Sequence, residues 1–173
     1  MAELNWRVAA RALIVDDATG DVLLVRFEFP AATVWATPGG GLERDESPTD
    51  CLRRELREEL GLVEVTVGPP LWTREHRIPM TTGHDGQRDT TYLVRIERFD
   101  PAPEIGWEQL LAEHVHEIKW WSVDEIVAAT GDHHEQLRPD TDRPTVFAPR
   151  RLGQLVVDLH ANGPPSLPVD AGI

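Results

Sequence analysis

One segment constrains this chain more than any other, an acidic helix with clear start and stop signals. Ser47 suits the N-cap, Pro48 suits the first helical position, and Gly61 suits the C-terminal cap, so a helix ending at Leu60 is predicted. Within it, the residues TDCLRRELREEL place leucines at helical spacing among charged residues. The segment therefore predicts one helix with an apolar stripe and a charged face.

The charged face of this helix gathers three carboxylates. With about 100° between successive residues, Glu58 and Glu59 lie roughly 60° and 40° from Glu55, on opposite sides of it. Glu55 and Glu59 form a like-charged i,i+4 pair, and acids in the last turn oppose the helix dipole. Because these acids reduce the stability of the helix, their presence indicates a function. Carboxylate oxygens are suitable ligands for a hard cation, Mg²⁺ or Mn²⁺. The alternative is a surface helix with glutamate–arginine pairs.

The elements around this helix follow a mixed order. Stretches with alternating polarity or high β-propensity predict five strands, at 8–15, 22–27, 34–37, 90–99 and 116–121. One or two further strands are predicted within 63–77. A Ser122–Glu125 capping box predicts a short helix, and apolar periodicity predicts a last helix over 150–161. The expected loops are 38–41, 80–88 and 100–106. Without regular strand–helix–strand alternation, this order indicates an α+β or layered α/β/α domain.

The spacing around the acidic helix matches a known pattern. From Gly40 the chain reads GGLERDESPTDCLRRELREELGL, ending at Leu62. This segment resembles the Nudix box, G-x5-E-x7-R-E-U-x-E-E-x-G-U with U apolar, at every fixed position. The resemblance implies a Nudix hydrolase fold, an α/β/α sandwich with a mixed sheet. We expect a single domain over 1–163, followed by an extended tail over 164–173.

The resemblance also implies a chemistry, the metal-dependent hydrolysis of a nucleoside diphosphate linked to another moiety, such as a nucleotide-sugar or a modified nucleoside triphosphate. By that resemblance Glu58 and Glu59 are the main ligands of Mg²⁺ or Mn²⁺. Glu55 is a further ligand or helps to activate water, and a backbone carbonyl at Gly40 completes the metal shell. The alternative is a Nudix-fold domain that binds and senses a nucleotide without cutting it.

The residues that support these ligands are also predicted from the resemblance. Arg54 is expected to orient the neighbouring carboxylates, with Glu46 as its ion-pair partner. A further acid from a loop outside the box often serves as general base. We assign this role to Glu113, with Glu117 and Glu104 as alternatives.

Substrate contacts are predicted at three positions before and within the box. Gly39 and Gly41 lack side chains and allow close backbone approach. Trp35 is a candidate for stacking on a base, with core packing as the alternative. Two histidines, His114 and His116, are expected to have a solvated or structural role, and Trp120 and Trp121 are expected to pack in the core. Three arginines could bind phosphate, and the sequence does not select among Arg26, Arg77 and Arg88.

Composition narrows the class of partner. The chain has 173 residues and a net charge of −13, which disfavours binding to a nucleic acid polymer or an anionic membrane. A divalent cation reverses that sign locally, so small phosphorylated substrates remain possible partners. The single cysteine, Cys51, excludes an internal disulfide and is expected to be a small buried residue. No signal peptide or membrane-spanning run is evident, so we expect a cytoplasmic protein, with a homodimer as a family-based possibility.

Overall fold

The computed structural model describes residues 4–77, 83–130, 136–137 and 144–172. Within these residues the helices are α1 (Pro48–Leu60), α2 (Gly106–Ala112), α3 (Val123–Thr130) and α4 (Leu152–Asn162). The strands in the same part of the chain are β1 (Trp6–Asp16), β2 (Val22–Glu28), β3 (Thr33–Ala36), β4 (Gly39–Gly41), β5 (Pro70–His76), β6 (Gly86–Ile96), β7 (Val115–Trp121), β8 (Gln136–Leu137), β9 (Pro144–Ala148) and β10 (Val169–Asp170).

The strands form one mixed sheet in the order β10-β5-β6-β1-β2-β3-β9-β8, with β4 beside β1 and β7 beside β2. Strand β1 runs parallel to β6 along its full length. It pairs with β2 only near Ile14 and Val15, whereas residues 9–11 pair with β4. The sheet therefore separates towards the start of β1, and the two parts diverge around a cavity.

The two faces of β1 pack against different helices. Ala10, Ala12 and Ile14 contact the apolar stripe of α1, which includes Leu52 and Leu56. The alternate residues of β1 belong to a second cluster with α3 and α4, whose buried members include Leu13, Val15, Ile126, Leu152 and Val156. Helices thus cover both faces of a mixed sheet. The predicted α/β/α sandwich is confirmed.

The prediction for α1 is confirmed in detail. The Ser47 hydroxyl accepts a hydrogen bond from the Asp50 backbone N–H, 3.2 Å away, and Pro48 opens the helix. Gly61 ends it with φ 76°, in the left-handed region, and a side chain there would meet the Ala102 carbonyl at 2.2 Å. Cys51, on the inner face of α1, is fully buried, as expected, and burial raises the pKa of its thiol to about 11.

Several other elements differ from the sequence-based expectations. Residues 39–41 form strand β4 instead of a turn, because their backbone pairs with β1. The N-terminal part of β6 occupies 86–88, where a loop was expected. Helix α2 and strand β9 were not predicted. Within the expected tail, Val169–Asp170 pairs in parallel with β5, and Ala171 is buried. Among the described residues, no helix combines the length and apolar character needed to cross a membrane.

Candidate active site

The site lies where α1 faces the glycine strand β4. The backbone N–H of Gly39 donates a hydrogen bond to Glu59 Oε2, 3.1 Å away. A Cβ added to Gly40 would lie 2.3 Å from Glu55 Oε1, so the Glu55 carboxylate occupies the space that a side chain would need. The glycines thus bring two helix carboxylates against the backbone of β4.

Arg54 holds the acidic side chains in place. Its Nε and Nη2 donate to the two oxygens of Glu46, each at 2.9 Å, in a bidentate pair. Its Nη1 donates to Glu55 Oε1 at 2.8 Å and lies 3.5 Å from Glu58 Oε2. Its Nη2 also donates to the Gly41 carbonyl, 3.1 Å away. The structure thus brings together the arginine and the four glutamates of the box, since Glu59 lies on the same helix face.

The pKa values of this network follow from its contacts. Hydrogen bonds from Arg54 lower the pKa of Glu46 to about 2, so Glu46 is ionised throughout the neutral range. The same pairing with Glu46 raises the pKa of Arg54, which stays protonated. The two residues therefore form a permanent ion pair that fixes the guanidinium beside Glu55.

Glu59 is the most deeply buried of the box acids, with 6% of its surface exposed. Burial, followed by the charge of Glu55, raises the pKa of Glu59 to about 8, and the Gly39 N–H opposes this shift only in part. Burial also raises the pKa of Glu55. Burial thus disfavours the ionised form of both side chains relative to a glutamate in water, and a cation beside them would favour that form.

The donor set fits a hard divalent cation in its chemistry. Glu55, Glu58 and Glu59 supply carboxylate oxygens from one helix face, and Gly40 supplies a carbonyl. The Gly40 carbonyl accepts from the Cys51 thiol at 3.4 Å. In the part of the chain that the structure describes, no three aspartate, glutamate, histidine or cysteine side chains are arranged so that they could hold a metal ion together. Metal binding would thus require small movements of the glutamate side chains. Arg54 would then give up some of its present hydrogen bonds to them.

A cavity of about 650 Å³ adjoins this site. One side is formed by β1, β5 and β6 and carries Arg7, Arg11 and Arg74. The other side is apolar and includes Phe27 and Phe29. Arg11 connects the cavity to the glycine strand, because its Nη1 donates to the Thr37 and Gly39 carbonyls at 3.0 and 3.2 Å.

Glu113 lies at the C-terminal end of α2, on the edge of this cavity. It is exposed, and its negative charge contributes to the raised pKa of Glu59, which places the two carboxylates within electrostatic reach. Glu113 Oε1 accepts a hydrogen bond from the neutral Gln109 Nε2 at 3.3 Å, whereas the two alternatives are held in ion pairs. Glu117 pairs with Arg26 at 2.9 Å, and Glu104 pairs with Arg57 at 2.8 Å. The geometry thus favours Glu113 among the three acids.

The stacking role expected of Trp35 is contradicted. Only 1% of its surface is exposed, and its ring lies edge-on to Trp121, with the centroids 4.9 Å apart. A ring enclosed in this way has no face to offer a base, so Trp35 belongs to the core. Of the other predicted contacts, Gly39 and Gly41 lie in β4, and the Arg7 guanidinium covers Gly41.

Sequence reasoning missed the polar residues of the cavity. It considered Arg26 and Arg88, which pair with Glu117 and Glu75 and do not line the cavity. Arg7 and Arg11 line it instead. The sequence did contain a signal for these cavity residues. Arg7 and Arg11 are four residues apart, on one face of an otherwise apolar strand. His114, which was expected to have a solvated or structural role, also lines the cavity and has φ 68°.

The family model described as the NUDIX domain matches residues 5–141. A nucleoside triphosphatase, NudI of Escherichia coli O139:H28 (strain E24377A / ETEC), is 41% identical over 97 residues. That match covers 54% of this chain and 64% of the relative, so the chain spans less than two thirds of the length of this curated relative.

Two solved structures share the fold. The solution structure of the E. coli ORF135 protein matches with a TM-score of 0.61 and 22% identity, covering 91% of this chain and 93% of that protein. The NUDIX domain of Shewanella oneidensis NrtR, solved in complex with ADP ribose, matches with a TM-score of 0.56 and 19% identity. It covers 91% of this chain and 89% of that domain. At these identities the structures establish the fold.

Proposed function

The chain belongs to the Nudix family, and from that premise we propose that it is a Nudix hydrolase, a metal-dependent pyrophosphohydrolase acting on a nucleoside diphosphate linked to a further group. The observation that carries the proposal is the buried Glu59 carboxylate, held against β4 beside Glu55. Two carboxylates whose ionised forms are disfavoured by burial are suited to a bound cation.

Glu55, Glu58 and Glu59 would hold Mg²⁺ or Mn²⁺, together with the Gly40 carbonyl. When bound, such an ion neutralises phosphate charge and lowers the pKa of a bound water. Arg54 keeps Glu55 and Glu58 turned towards one side of the helix, and its ion pair with Glu46 fixes the guanidinium. These two residues position the ligands without contacting substrate.

Glu113 is the proposed general base. Its carboxylate is exposed at the edge of the cavity, where it can accept a proton from the water that attacks phosphorus. The water oxygen forms a bond to phosphorus, the bridging P–O bond breaks, and the leaving phosphate takes the electron pair. Arg11, which contacts the Gly39 carbonyl, is placed to neutralise negative charge near that step.

The substrate class follows from the cavity and the relatives. The cavity volume of about 650 Å³ is within the range that holds a small organic ligand. A NudI relative is named a nucleoside triphosphatase, and the NrtR domain was solved with ADP ribose. Both ligands are nucleotide derivatives. We therefore propose a nucleoside triphosphate or a nucleoside diphosphate derivative as substrate.

A nucleotide-binding domain without catalysis is the alternative, favoured by the ADP-ribose complex of NrtR. This chain keeps all three box acids, and Arg54 contacts two of them. The arrangement is therefore better explained by hydrolysis.

One assay separates these two functions. Purified protein is incubated with nucleoside triphosphates, nucleotide sugars and ADP-ribose, in EDTA, Mg²⁺ or Mn²⁺, and phosphate is measured after treatment with an auxiliary phosphatase. We expect metal-dependent release that is lost in Glu58→Gln and Glu59→Gln but retained in Glu64→Gln, an exposed acid beyond the helix. Tight nucleotide binding by calorimetry without turnover on any compound would overturn the proposal.

A further inference from the structure

Polar side chains from three adjacent strands form a cationic floor in the cavity. Arg7 and Arg11 lie on one face of β1, Gln87 and Asp89 on the same face of β6, and Arg74 on β5. The strand register places Arg7 beside Gln87 and Arg74 beside Asp89. Three guanidinium groups thus face one carboxylate, in a chain whose net charge is −13.

The hydrogen bonds of this floor leave it rich in donors. Gln87 Oε1 accepts from Arg7, and Gln87 Nε2 donates to Asp89 Oδ1 at 2.6 Å. Asp89 Oδ2 accepts from Arg74 Nε and Nη2 at 3.0 and 2.6 Å. Each acceptor oxygen of this pair is thus engaged, whereas a guanidinium carries five N–H donors and no acceptor. His76 and His114 each add at most one acceptor nitrogen, and the Glu113 carboxylate lies next to His114, outside these three strands.

The opposite wall of the cavity is aromatic. The Phe27 and Phe29 rings are nearly parallel, with their centroids 6.1 Å apart. The His114 ring is tilted against Phe29 at 5.4 Å. Phe29 is 40% exposed, so part of its ring is accessible from solvent. Such a wall suits a planar ring and is a poor surface for a second phosphate group.

We propose that this cavity selects nucleotides by the base edge, binding a base that presents carbonyl oxygens, guanine or uracil, in preference to adenine. The inference rests on the proposed function and deepens it. The planar base packs on the Phe29 wall, and its carbonyl oxygens accept hydrogen bonds from Arg7, which leaves Arg11 for the phosphate groups. The amino group of adenine would instead face the N–H groups of the floor. Because both groups are donors, the adenine amino group and the arginine would each be left without an acceptor.

The test compares kcat/KM for GTP, UTP, ATP and ADP-ribose in Mg²⁺. For the unaltered protein we expect GTP and UTP to exceed ATP by roughly 10- to 100-fold, the discrimination of one bidentate arginine contact. Arg7→Met keeps the length of the side chain and removes its donors. We expect it to bring the three nucleoside triphosphates within about 3-fold of one another, mainly through a higher KM for GTP and UTP.

A matched control is Arg88→Met. Arg88 lies next to Gln87 on β6 but points away from the cavity, with its guanidinium over the Trp6 ring and 2.8 Å from Glu75. This variant should keep the preference of the unaltered protein. If Arg7→Met does not fold, Arg7→Lys tests the same point, because lysine keeps the charge but lacks the planar pair of N–H donors. We expect its preference for GTP and UTP over ATP to lie between those of the unaltered protein and Arg7→Met.

Three results overturn the inference while leaving the proposed function intact. These are ATP turnover equal to that of GTP and UTP, turnover of ADP-ribose with none of the triphosphates, and an equal loss on all substrates in Arg7→Met. If no compound is hydrolysed, the proposed function fails. The inference is then decided by calorimetry with GTP and ATP in Mg²⁺, where equal affinities would overturn it and tighter binding of GTP would support it.

Discussion

The backbone N–H of Gly39 donates a hydrogen bond across 3.1 Å to Glu59 Oε2, joining strand β4 to the last turn of α1. Gly39 has φ 125°, a conformation that L side chains rarely adopt, and an added Cβ would lie 2.3 Å from the Ala10 carbonyl. Glycine is thus required for β4 to run close to β1 and to reach the buried carboxylate. The glycines and glutamates of the box therefore act as one structural unit.

Replacing Glu59 by glutamine should separate metal binding from folding. The amide oxygen can still accept from Gly39, and the substitution removes a buried charge, so we expect unchanged or greater stability in EDTA at pH 8. Mg²⁺ at about 100 times its Kd should stabilise the unaltered protein by about 2.7 kcal/mol, and the variant by less than half of that. Urea unfolding with and without Mg²⁺ measures both quantities. Equal stabilisation by Mg²⁺ in Glu59→Gln and in the control Glu64→Gln would contradict a ligand role for Glu59.

The Glu46–Arg54 pair should make stability depend on pH in the acid range. Because Arg54 lowers the folded-state pKa of Glu46 to about 2, from an ordinary value of 4.5, the contribution of the pair is complete above pH 4.5. It is lost as the pH falls from 4.5 towards 2. The free energy of unfolding of the unaltered protein should thus exceed that of Glu46→Gln at pH 6, by a margin that shrinks at pH 3.

Urea titrations at the two pH values test this expectation. The control is Glu43→Gln, since Glu43 is 71% exposed and lies 3.8 Å from the same arginine. Its effect should be small at both pH values. A margin for Glu46→Gln that is equal at pH 6 and pH 3 would contradict the ion pair as the source of the stability.

Helix α1 and its carboxylates could be predicted because their signals are local. The Ser47 cap, Pro48 and the Gly61 stop act within one turn of the residues they affect. The spacing of Glu55, Glu58 and Glu59 also depends only on helix geometry. Everything needed to place the three acids on one face is thus contained in a short segment.

The cavity could not be predicted in the same way, because its residues meet only through the sheet. Arg7 and Gln87 are 80 positions apart and become neighbours through the parallel pairing of β1 with β6. Strands β9 and β10 likewise depend on the partners beside them, β3 and β5. Trp35 is buried because the aromatic rings of Trp121 and Phe147, which come from distant parts of the chain, pack around it.

Alanine at the two glycines of β4 should have different consequences. At Gly40 the added Cβ meets the Glu55 carboxylate, at 2.3 Å, and that side chain can move away. We therefore expect Gly40→Ala to lower kcat/KM at least 10-fold with little loss of stability. At Gly39 the Cβ meets the backbone of Ala10 in a left-handed conformation, so we expect Gly39→Ala to cost at least about 2 kcal/mol of unfolding free energy. Urea unfolding and steady-state kinetics on both variants would reveal the contrast, and an equal stability loss would contradict it.

Glu113→Gln should lower kcat by about 10²- to 10⁴-fold with little change in KM, because a general base acts on the reacting water and contributes little to substrate binding. Steady-state kinetics measure both constants. The controls are Glu104→Gln and Glu117→Gln, whose carboxylates are paired with Arg57 and Arg26. Both should keep most of the rate. If Glu117→Gln lowers kcat by this amount and Glu113→Gln keeps it, the base is Glu117, and Arg26 must release that side chain when the substrate binds.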